Sequence, residues 1–201
     1  GPPDATGAQA PQPGPRLALT PAFLDSGGFA DVRIASTVRG IEVVAGTELA
    51  PRLSNVELLD GYLEAPTGTP LAGLVRTVVR EDAERAPLNL TLDVRALPAN
   101  GLESRALDDA VLTQIGELTL APGVRVSLDP LARLVLESNT RVIVEDSLIE
   151  VPGGDIDIRL AGDLQPEFVA SQGVWVDGTT VLDASGTTRL EPNALGFAFG
   201  E

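Results

Sequence analysis

The chain has 201 residues, 43% of them apolar and only 3% aromatic, so its core must be built from Val, Leu, Ile and Ala. Its formal net charge of −15 argues against binding to nucleic acid and against insertion into or docking on an anionic membrane, because such partners need a basic surface. Cysteine and histidine are absent, which excludes disulfides, a Ser-His-Asp triad, a cysteine nucleophile and His-based zinc or iron sites.

The first 16 residues differ in composition from the rest of the chain. Residues 1–16 hold five prolines and three glycines and almost no large apolar side chain, which predicts a disordered linker. Gly1-Pro2 is typical of the scar that remains after removal of a tag, so we interpret the chain as an excised fragment. Order is expected to begin near Leu17.

Short runs in which apolar and polar residues alternate begin soon afterwards. Alternation with period two is typical of strands that have one buried face. The first runs are Val32-Arg-Ile34, Ile41-Glu-Val43, Thr47-Glu-Leu49, Val56-Glu-Leu58 and Tyr62-Leu63. Residues 65–86 break the pattern and predict an insertion, in which residues 74–79 slightly favour a strand over a helix. Leu88 to Val94 then alternates most clearly, and the irregular, acidic residues 97–110 predict a second insertion.

The steadiest rhythm lies between residues 118 and 184. Its runs are Leu118-Thr-Leu120, Val126-Ser-Leu128, Leu134-Val-Leu136, Val142-Ile-Val144, Leu148-Ile-Glu-Val151, Ile156-Asp-Ile158, Val174-Trp-Val176 and Val181-Leu-Asp-Ala184. Centres recur after about 24, 23 and 22 residues, which predicts a solenoid of three strands per turn. The next turn follows after about 32 residues and predicts a third insertion at 161–173. Upstream, the strand centres at residues 33 and 57 are about 24 residues apart, and those at residues 42 and 63 are about 21 apart. These spacings predict the same repeat there.

A repeat of this length built from strands predicts a parallel β-helix, in which stacked turns share one narrow core. An antiparallel β-sandwich is the alternative, because it also combines many short strands with frequent turns. Its hairpins would use Asp60-Gly61, Asn100-Gly101 or Asp177-Gly178.

Several phrases resemble the very large filamentous-haemagglutinin-like exoproteins, and together they cover about half of the chain. They are Ser26-Gly-Gly-Phe-Ala-Asp-Val-Arg-Ile-Ala-Ser36 followed by Ile41, Pro87-Leu-Asn-Leu-Thr-Leu92, Gly116-Glu-Leu-Thr-Leu-Ala-Pro-Gly-Val-Arg-Val-Ser-Leu-Asp-Pro130, Val151-Pro-Gly-Gly-Asp-Ile156, Val174-Trp-Val-Asp-Gly178 and Val181-Leu-Asp-Ala-Ser-Gly186. Each phrase alone has low specificity, and their order carries more weight.

The resemblance implies a right-handed parallel β-helix from a Gram-negative two-partner-secreted surface protein. It also implies export through a dedicated outer-membrane transporter, and a role in adhesion, biofilm formation or contact-dependent inhibition. The family's N-terminal secretion domain carries an Asn-Pro-Asn-Gly type motif. This chain has only Glu191-Pro-Asn-Ala194, which lies near its C-terminal end and lacks the glycine. The resemblance therefore implies an interior or distal fragment.

Carboxylates are the remaining candidates for chemistry. Asp155, Asp157 and Arg159 alternate with apolar residues, so all three should project from one strand face, where carboxylates roughly 6.5–7 Å apart could flank a glycosidic bond. The alternative is a solvated strand face with an Asp–Arg pair, which contributes little stability. The acidic pairs Glu81-Asp82, Asp108-Asp109 and Glu145-Asp146 could each offer oxygens to Ca²⁺, but acidic surface turns are the favoured interpretation. No other cofactor is expected.

Two aromatic residues are candidates for sugar binding. Trp175 should point outward between two inward valines and could stack on a sugar ring or pack beneath the 161–173 insertion. Tyr62 has the same two interpretations.

Two functional hypotheses follow from these patterns. The first is a non-enzymatic segment of a secreted adhesin at the bacterial outer-membrane surface, which serves as a scaffold and binds host cells, neighbouring cells or biofilm matrix. The second is a polysaccharide-binding or polysaccharide-cleaving β-helix that uses surface carboxylates. A further hypothesis places partner specificity in the irregular segment 64–110, because recognition often lies on loops of a rigid scaffold.

Overall fold

The computed structural model describes residues 17–25, 28–37, 39–82, 84–95, 116–161, 172–187, 190–192 and 198–200. Within these residues the chain forms a parallel β-helix in which three sheets of four parallel strands surround a common core. The predicted β-helix is confirmed, and the antiparallel sandwich is wrong for this stack. The predicted linker 1–16, insertion 97–110, and the pairs Asn100-Gly101 and Asp108-Asp109 lie outside the described residues.

The elements follow one another in a regular order along the chain. They are α1 (Pro21–Asp25), β1 (Asp31–Ser36), β2 (Ile41–Val43), β3 (Glu48–Leu49), β4 (Asn55–Leu58), the 3₁₀ helices η1 (Tyr62–Glu64) and η2 (Leu71–Gly73), β5 (Val75–Val78), β6 (Asn89–Val94), β7 (Leu118–Leu120), β8 (Arg125–Ser127), β9 (Arg133–Ser138), β10 (Arg141–Val144), β11 (Leu148–Glu150), β12 (Asp155–Leu160), β13 (Gly173–Val176), β14 (Val181–Asp183), β15 (Leu190–Pro192) and β16 (Ala198–Gly200).

Each turn of the coil, called a rung, contributes one strand to each sheet. Sheet A contains β1, β6, β9 and β12, sheet B contains β2, β7, β10 and β13, and sheet C contains β3, β8, β11 and β14. Rungs 1 to 4 are therefore β1–β3, β6–β8, β9–β11 and β12–β14. Strands β15 and β16 form a separate antiparallel pair.

Aliphatic side chains stack in columns inside the coil. In sheet A, one column runs Val32, Leu90, Leu134 and Ile156, and a second runs Ile34, Leu92, Leu136 and Ile158. The members from rungs 2 and 3 are buried, while those from rungs 1 and 4 are partly buried and pack against the same cluster. Since side chains alternate along a strand, the residues between these columns must face outward.

The register agrees with the predicted repeat in the later rungs. Leu118 pairs with Val142 and Val126 with Ile149, at the separations that the sequence indicates. Val142 then pairs with Val174, so the longer third interval is also confirmed. Ala161 still hydrogen-bonds to rung 3, and Gly173 already begins β13, so these two residues belong to the stack. Residues 162–171 of the insertion predicted at 161–173 lie outside the described residues.

The repeat predicted for the upstream residues is wrong. Val56 and Leu58 lie in β4, which pairs in antiparallel fashion with β5 instead of joining the stack, and Tyr62 lies in η1. Strand β1 pairs with β6 and β2 with β7, so centres 33 and 57 and centres 42 and 63 are not consecutive turns. The segment that leaves the coil after β3 and returns to it at β6 is called here the excursion, and it contains β4, η1, η2 and β5. It begins near residue 54 and not at residue 65. Residues 74–79 do contain a strand, β5.

Among the described residues, no helix has the length and apolar character that crossing a membrane requires.

Candidate functional site

The outer face of sheet A carries a dense set of charged side chains. They occupy the outward positions of the alternating strands and include Arg33, Asp93, Arg95, Arg133, Glu137, Asp157 and Arg159. Their apolar neighbours on each strand face the core, so packing of the columns fixes which side these groups occupy.

Asp93 is the most deeply placed of these groups. Its side chain has 0% exposure, yet its carboxylate accepts hydrogen bonds from Arg33 on rung 1 and from Arg95 Nε at 2.7 Å. A buried carboxylate is tolerated only when it is paired in this way. The hydrogen bond to Asp93 raises the pKa of Arg95 above its ordinary value, and the hydrogen bond to Glu137 has the second-largest effect in the same direction. The guanidinium of Arg95 therefore stays charged.

Glu137 links rung 2 to rung 4. Its side chain is 7% exposed, and Oε1 accepts from Arg95 Nη2 at 2.7 Å while Oε2 accepts from Arg159 Nη2 at 2.9 Å. Arg159 also donates from Nη1 to Asp157 Oδ2 at 2.5 Å, and the same oxygen accepts from Arg133 Nη2 at 3.2 Å.

These contacts form one alternating series, called here the ion-pair chain. In order it runs Arg33, Asp93, Arg95, Glu137, Arg159, Asp157 and Arg133. It begins and ends on an arginine, so its formal charge is one positive unit on a protein whose net charge is −15.

The ion-pair chain surrounds a shallow hollow of about 350 Å³. The four arginines and Glu137 line it together with Thr91 and Val135. Val135 is buried and pairs with Thr91 in the register, so these two residues form the floor. Charge-assisted hydrogen bonds hold the guanidiniums in place before any ligand arrives, and guanidiniums bind planar and tetrahedral oxyanions well.

The structure brings three of the predicted site residues together. Asp155, Asp157 and Arg159 share the outer face of β12, as the alternation predicts, and Asp157 and Arg159 belong to the ion-pair chain. Asp157 contacts two guanidiniums, which is the arrangement of a structural ion pair. A glycosidase carboxyl group must instead face its substrate directly.

The two aromatic candidates lie elsewhere. Trp175 is on β13 of sheet B, partly exposed, and its ring lies over Gly173, where a Cβ atom would come within 3.0 Å of it. Tyr62 lies in η1 within the excursion and is also partly exposed. Neither residue lines the hollow on sheet A.

Five members of the ion-pair chain were missed from the sequence. They are Arg33, Asp93, Arg95, Arg133 and Glu137. The alternation of side chains along a strand is enough to predict that Arg33, Asp93, Arg133 and Glu137 face outward, because each lies next to an inward apolar residue. The missing knowledge was the pairing of β1 with β6, which brings Arg33 to Asp93 across the excursion.

Of the acidic pairs considered for Ca²⁺, Glu81-Asp82 has a carboxylate in an ion pair, since Asp82 Oδ1 accepts from Arg85 Nη2 at 2.5 Å. In the described part of the chain, no group of three or more His, Cys, Asp or Glu side chains is placed to hold a metal ion.

Comparisons of the chain with protein-family models, curated proteins and solved structures gave no match. The class that the fold defines is a parallel β-helix, with an arginine-lined hollow on one sheet.

Proposed function

We propose that this chain is a non-enzymatic, rigid segment of a large secreted bacterial surface protein of the filamentous-haemagglutinin-like kind. In this proposal the parent protein leaves the cell through an outer-membrane two-partner-secretion transporter and remains at the outer-membrane surface. The segment holds a binding surface for host cells, neighbouring cells or biofilm matrix.

The observation that carries the proposal is the preordered outer face of sheet A. Stacked parallel strands fix the backbone, and the ion-pair chain fixes the outward arginines on it. A surface that is rigid before binding loses little side-chain entropy when it binds. The family resemblance of the sequence adds the expectation of a surface location, and the absence of cysteine suits export in an unfolded state.

Retention of protein-coated beads tests this proposal. Fluorescent beads that carry the chain should bind to bacterial biofilm or epithelial layers more than albumin-coated beads do, and free chain in solution should compete. Equal retention of both kinds of bead, or no competition by the free chain, would contradict adhesion.

The second candidate is a domain that binds or cleaves polysaccharide. The arginine-lined hollow favours binding of acidic chains, because four guanidiniums converge there. Incubation with acidic and neutral polysaccharides separates the two activities. New reducing ends or unsaturated products would show cleavage and overturn the non-enzymatic proposal.

A further inference from the structure

The two ends of the ion-pair chain differ from its interior. In the described part of the chain, Arg95 and Arg159 each donate to two carboxylates, while Arg33 and Arg133 each donate to one. The end arginines are also the most exposed of the four, at 59% for Arg33 and 53% for Arg133. Both line the hollow, so each has guanidinium surface open to a ligand.

The register places the two end arginines on opposite sides of Thr91. Arg33 pairs directly with Thr91, Thr91 pairs with Val135, and Arg133 lies two residues before Val135. With neighbouring strands about 4.8 Å apart and residues about 3.3 Å apart along a strand, the two arginine Cα atoms are about 12 Å apart. Arg33, Thr91 and Arg133 all line the hollow, so a single group bound in it can contact both arginine side chains while Arg133 keeps its ion pair with Asp157 on β12.

The formal charges of the ion-pair chain indicate what kind of ligand group would bind between Arg33 and Arg133. Four guanidiniums and three carboxylates leave one positive unit, and both ends of the series are donors. One monovalent oxyanion between Arg33 and Arg133 would close the alternating series into a ring and balance its charge. Charge-assisted hydrogen bonds to such a group are about twice as strong as neutral ones.

We propose that the hollow on sheet A binds one monovalent oxyanion, a carboxylate or sulfate borne by an acidic polysaccharide, between Arg33 and Arg133. This inference deepens the proposed function and rests on it for the setting in which such a polymer is met. The net charge of −15 repels a long polyanion at a distance, so short or sparsely charged chains should bind best.

Calorimetric titration with short saccharides tests the site. The probes are a galacturonate trimer, its neutral methyl ester, and a sulfated dextran oligosaccharide of similar length. The trimer or the sulfated probe should bind, and the neutral ester should not. Preference between the two acidic probes identifies the oxyanion. No binding of either acidic probe, or equal binding of the ester, overturns the proposal.

Arginine variants locate the binding. Arg33→Gln and Arg133→Gln should each weaken binding about tenfold or more, because each removes a charged hydrogen-bond donor. Arg125→Gln is the matched control, since Arg125 is exposed on sheet C and its loss changes the net charge equally. Its affinity should stay within about twofold of the unsubstituted chain. Equal effects of all three substitutions would show a nonspecific charge effect and overturn the site.

A substitution on the floor of the hollow separates loss of binding from loss of folding. Thr91→Asp supplies a carboxylate from within the chain, so it should close the ring, raise the melting temperature and abolish saccharide binding. Unchanged affinity in Thr91→Asp would contradict the proposed position.

The bead assay keeps this inference distinct from the proposed function. Beads that adhere although neither acidic probe binds would overturn the oxyanion site and leave adhesion standing. Probe binding that depends on Arg33 and Arg133, without bead adhesion, would support the site and overturn the adhesive role.

Discussion

A buried ion pair between Arg85 and Asp129 connects the excursion to the coil. Arg85 and Asp129 have side-chain exposures of 4% and 3%, and Arg85 Nε donates to Asp129 Oδ2 at 3.1 Å. Arg52 Nε approaches the same carboxylate at 3.2 Å. The hydrogen bond to Asp129 raises the pKa of Arg85 against the opposing effect of burial. The return from β5 to β6 is therefore fixed at the corner that follows β8.

Arg85→Gln should lower the free energy of unfolding by about 3 kcal/mol, because it leaves a buried carboxylate with less compensation. Arg76→Gln is the control, since Arg76 is 64% exposed and pairs with Glu57 at the surface. The control should cost less than about 1 kcal/mol. Denaturant titration measures both, and equal losses would show that the buried pair does not anchor the excursion.

The carboxylate of Asp177 connects two turns of the coil by hydrogen bonds. Its Oδ1 accepts from the backbone N–H groups of Thr179 and Thr180 and from both hydroxyls, and its Oδ2 accepts from the N–H of Asp146. These bonds, of which that from the Thr179 hydroxyl has the largest effect, lower the pKa of Asp177 from 3.8 to about 2. The carboxylate thereby ties the turn after β13 to the turn after β10.

The lowered pKa gives a sign to the pH dependence. A carboxyl whose pKa is lower in the folded state adds stability that is complete above the unfolded pKa of 3.8 and is lost as the pH falls through about 2. Asp177→Asn should therefore lower the melting temperature at neutral pH and flatten its fall between pH 4 and pH 2. Asp60→Asn, in the exposed start of the excursion, is the control. A parallel pH curve for Asp177→Asn would contradict the assignment.

At the scale of elements, the coil turns its corners where backbones approach closely. Gly153 and Gly154 lie in the turn that leads into β12. Gly153 has a φ of 64°, but Gly154 is needed for another reason. A Cβ atom at Gly154 would lie 2.1 Å from the carbonyl oxygen of Ala132, which accepts the hydrogen bond from the N–H of Asp155.

Gly154→Ala should disrupt the start of β12 and lower the free energy of unfolding by roughly 3 kcal/mol, at the upper end of the usual cost of overpacking, because backbone must move. Gly178→Ala is the control, since no atom of the described residues lies within 4 Å of a Cβ atom there. Gly154→Ala should also weaken saccharide binding, because β12 carries Asp157 and Arg159. Similar melting temperatures for the two variants would contradict the close approach.

The elements also show what the sequence could and could not predict. From β7 to β12 the paired strands follow a near-constant repeat of 24, 23 and 22 residues, so the pairing of Leu118 with Val142 could be predicted from spacing alone. Val56 and Leu58 alternate in the same way in an antiparallel hairpin, because period two reports one packed strand face and not its partner. The local pattern therefore identified β4 as a strand but assigned it to the wrong sheet, and it was wrong at Tyr62-Leu63, where the chain forms η1.

At the scale of the whole molecule, the same limit applies to the candidate site. Side-chain alternation along β12 correctly predicted that Asp157 and Arg159 face outward. The ion-pair chain, however, joins residues from four different rungs, which local alternation does not bring together. Arg33 and Asp93 are neighbours only because the excursion returns the chain to the edge of β1. No pattern within a few residues of Arg33 indicates that return, so the hollow could not be predicted without the sheet order.

The stack should behave as a row of coupled rungs, in which each rung is stabilised mainly by its neighbours. Leu134 in rung 3 is fully buried, whereas Leu182 in rung 4 pairs with buried Ile149 but is itself 44% exposed. A substitution of leucine by alanine therefore removes different amounts of packing at the two positions, although the chemical change is identical.

Leu134→Ala should lower the free energy of unfolding by about 2–5 kcal/mol, because it leaves a cavity between two packed rungs. Leu182→Ala should cost less than half of that, since about half of its side chain already faces solvent. Denaturant unfolding followed by circular dichroism measures both values, and Trp175 fluorescence reports rung 4 separately. Because Trp175 lies on β13, Leu182→Ala should shift the fluorescence transition more than the circular dichroism transition. Coincident transitions with equal losses would contradict rung-by-rung coupling and show that the four rungs unfold as one unit.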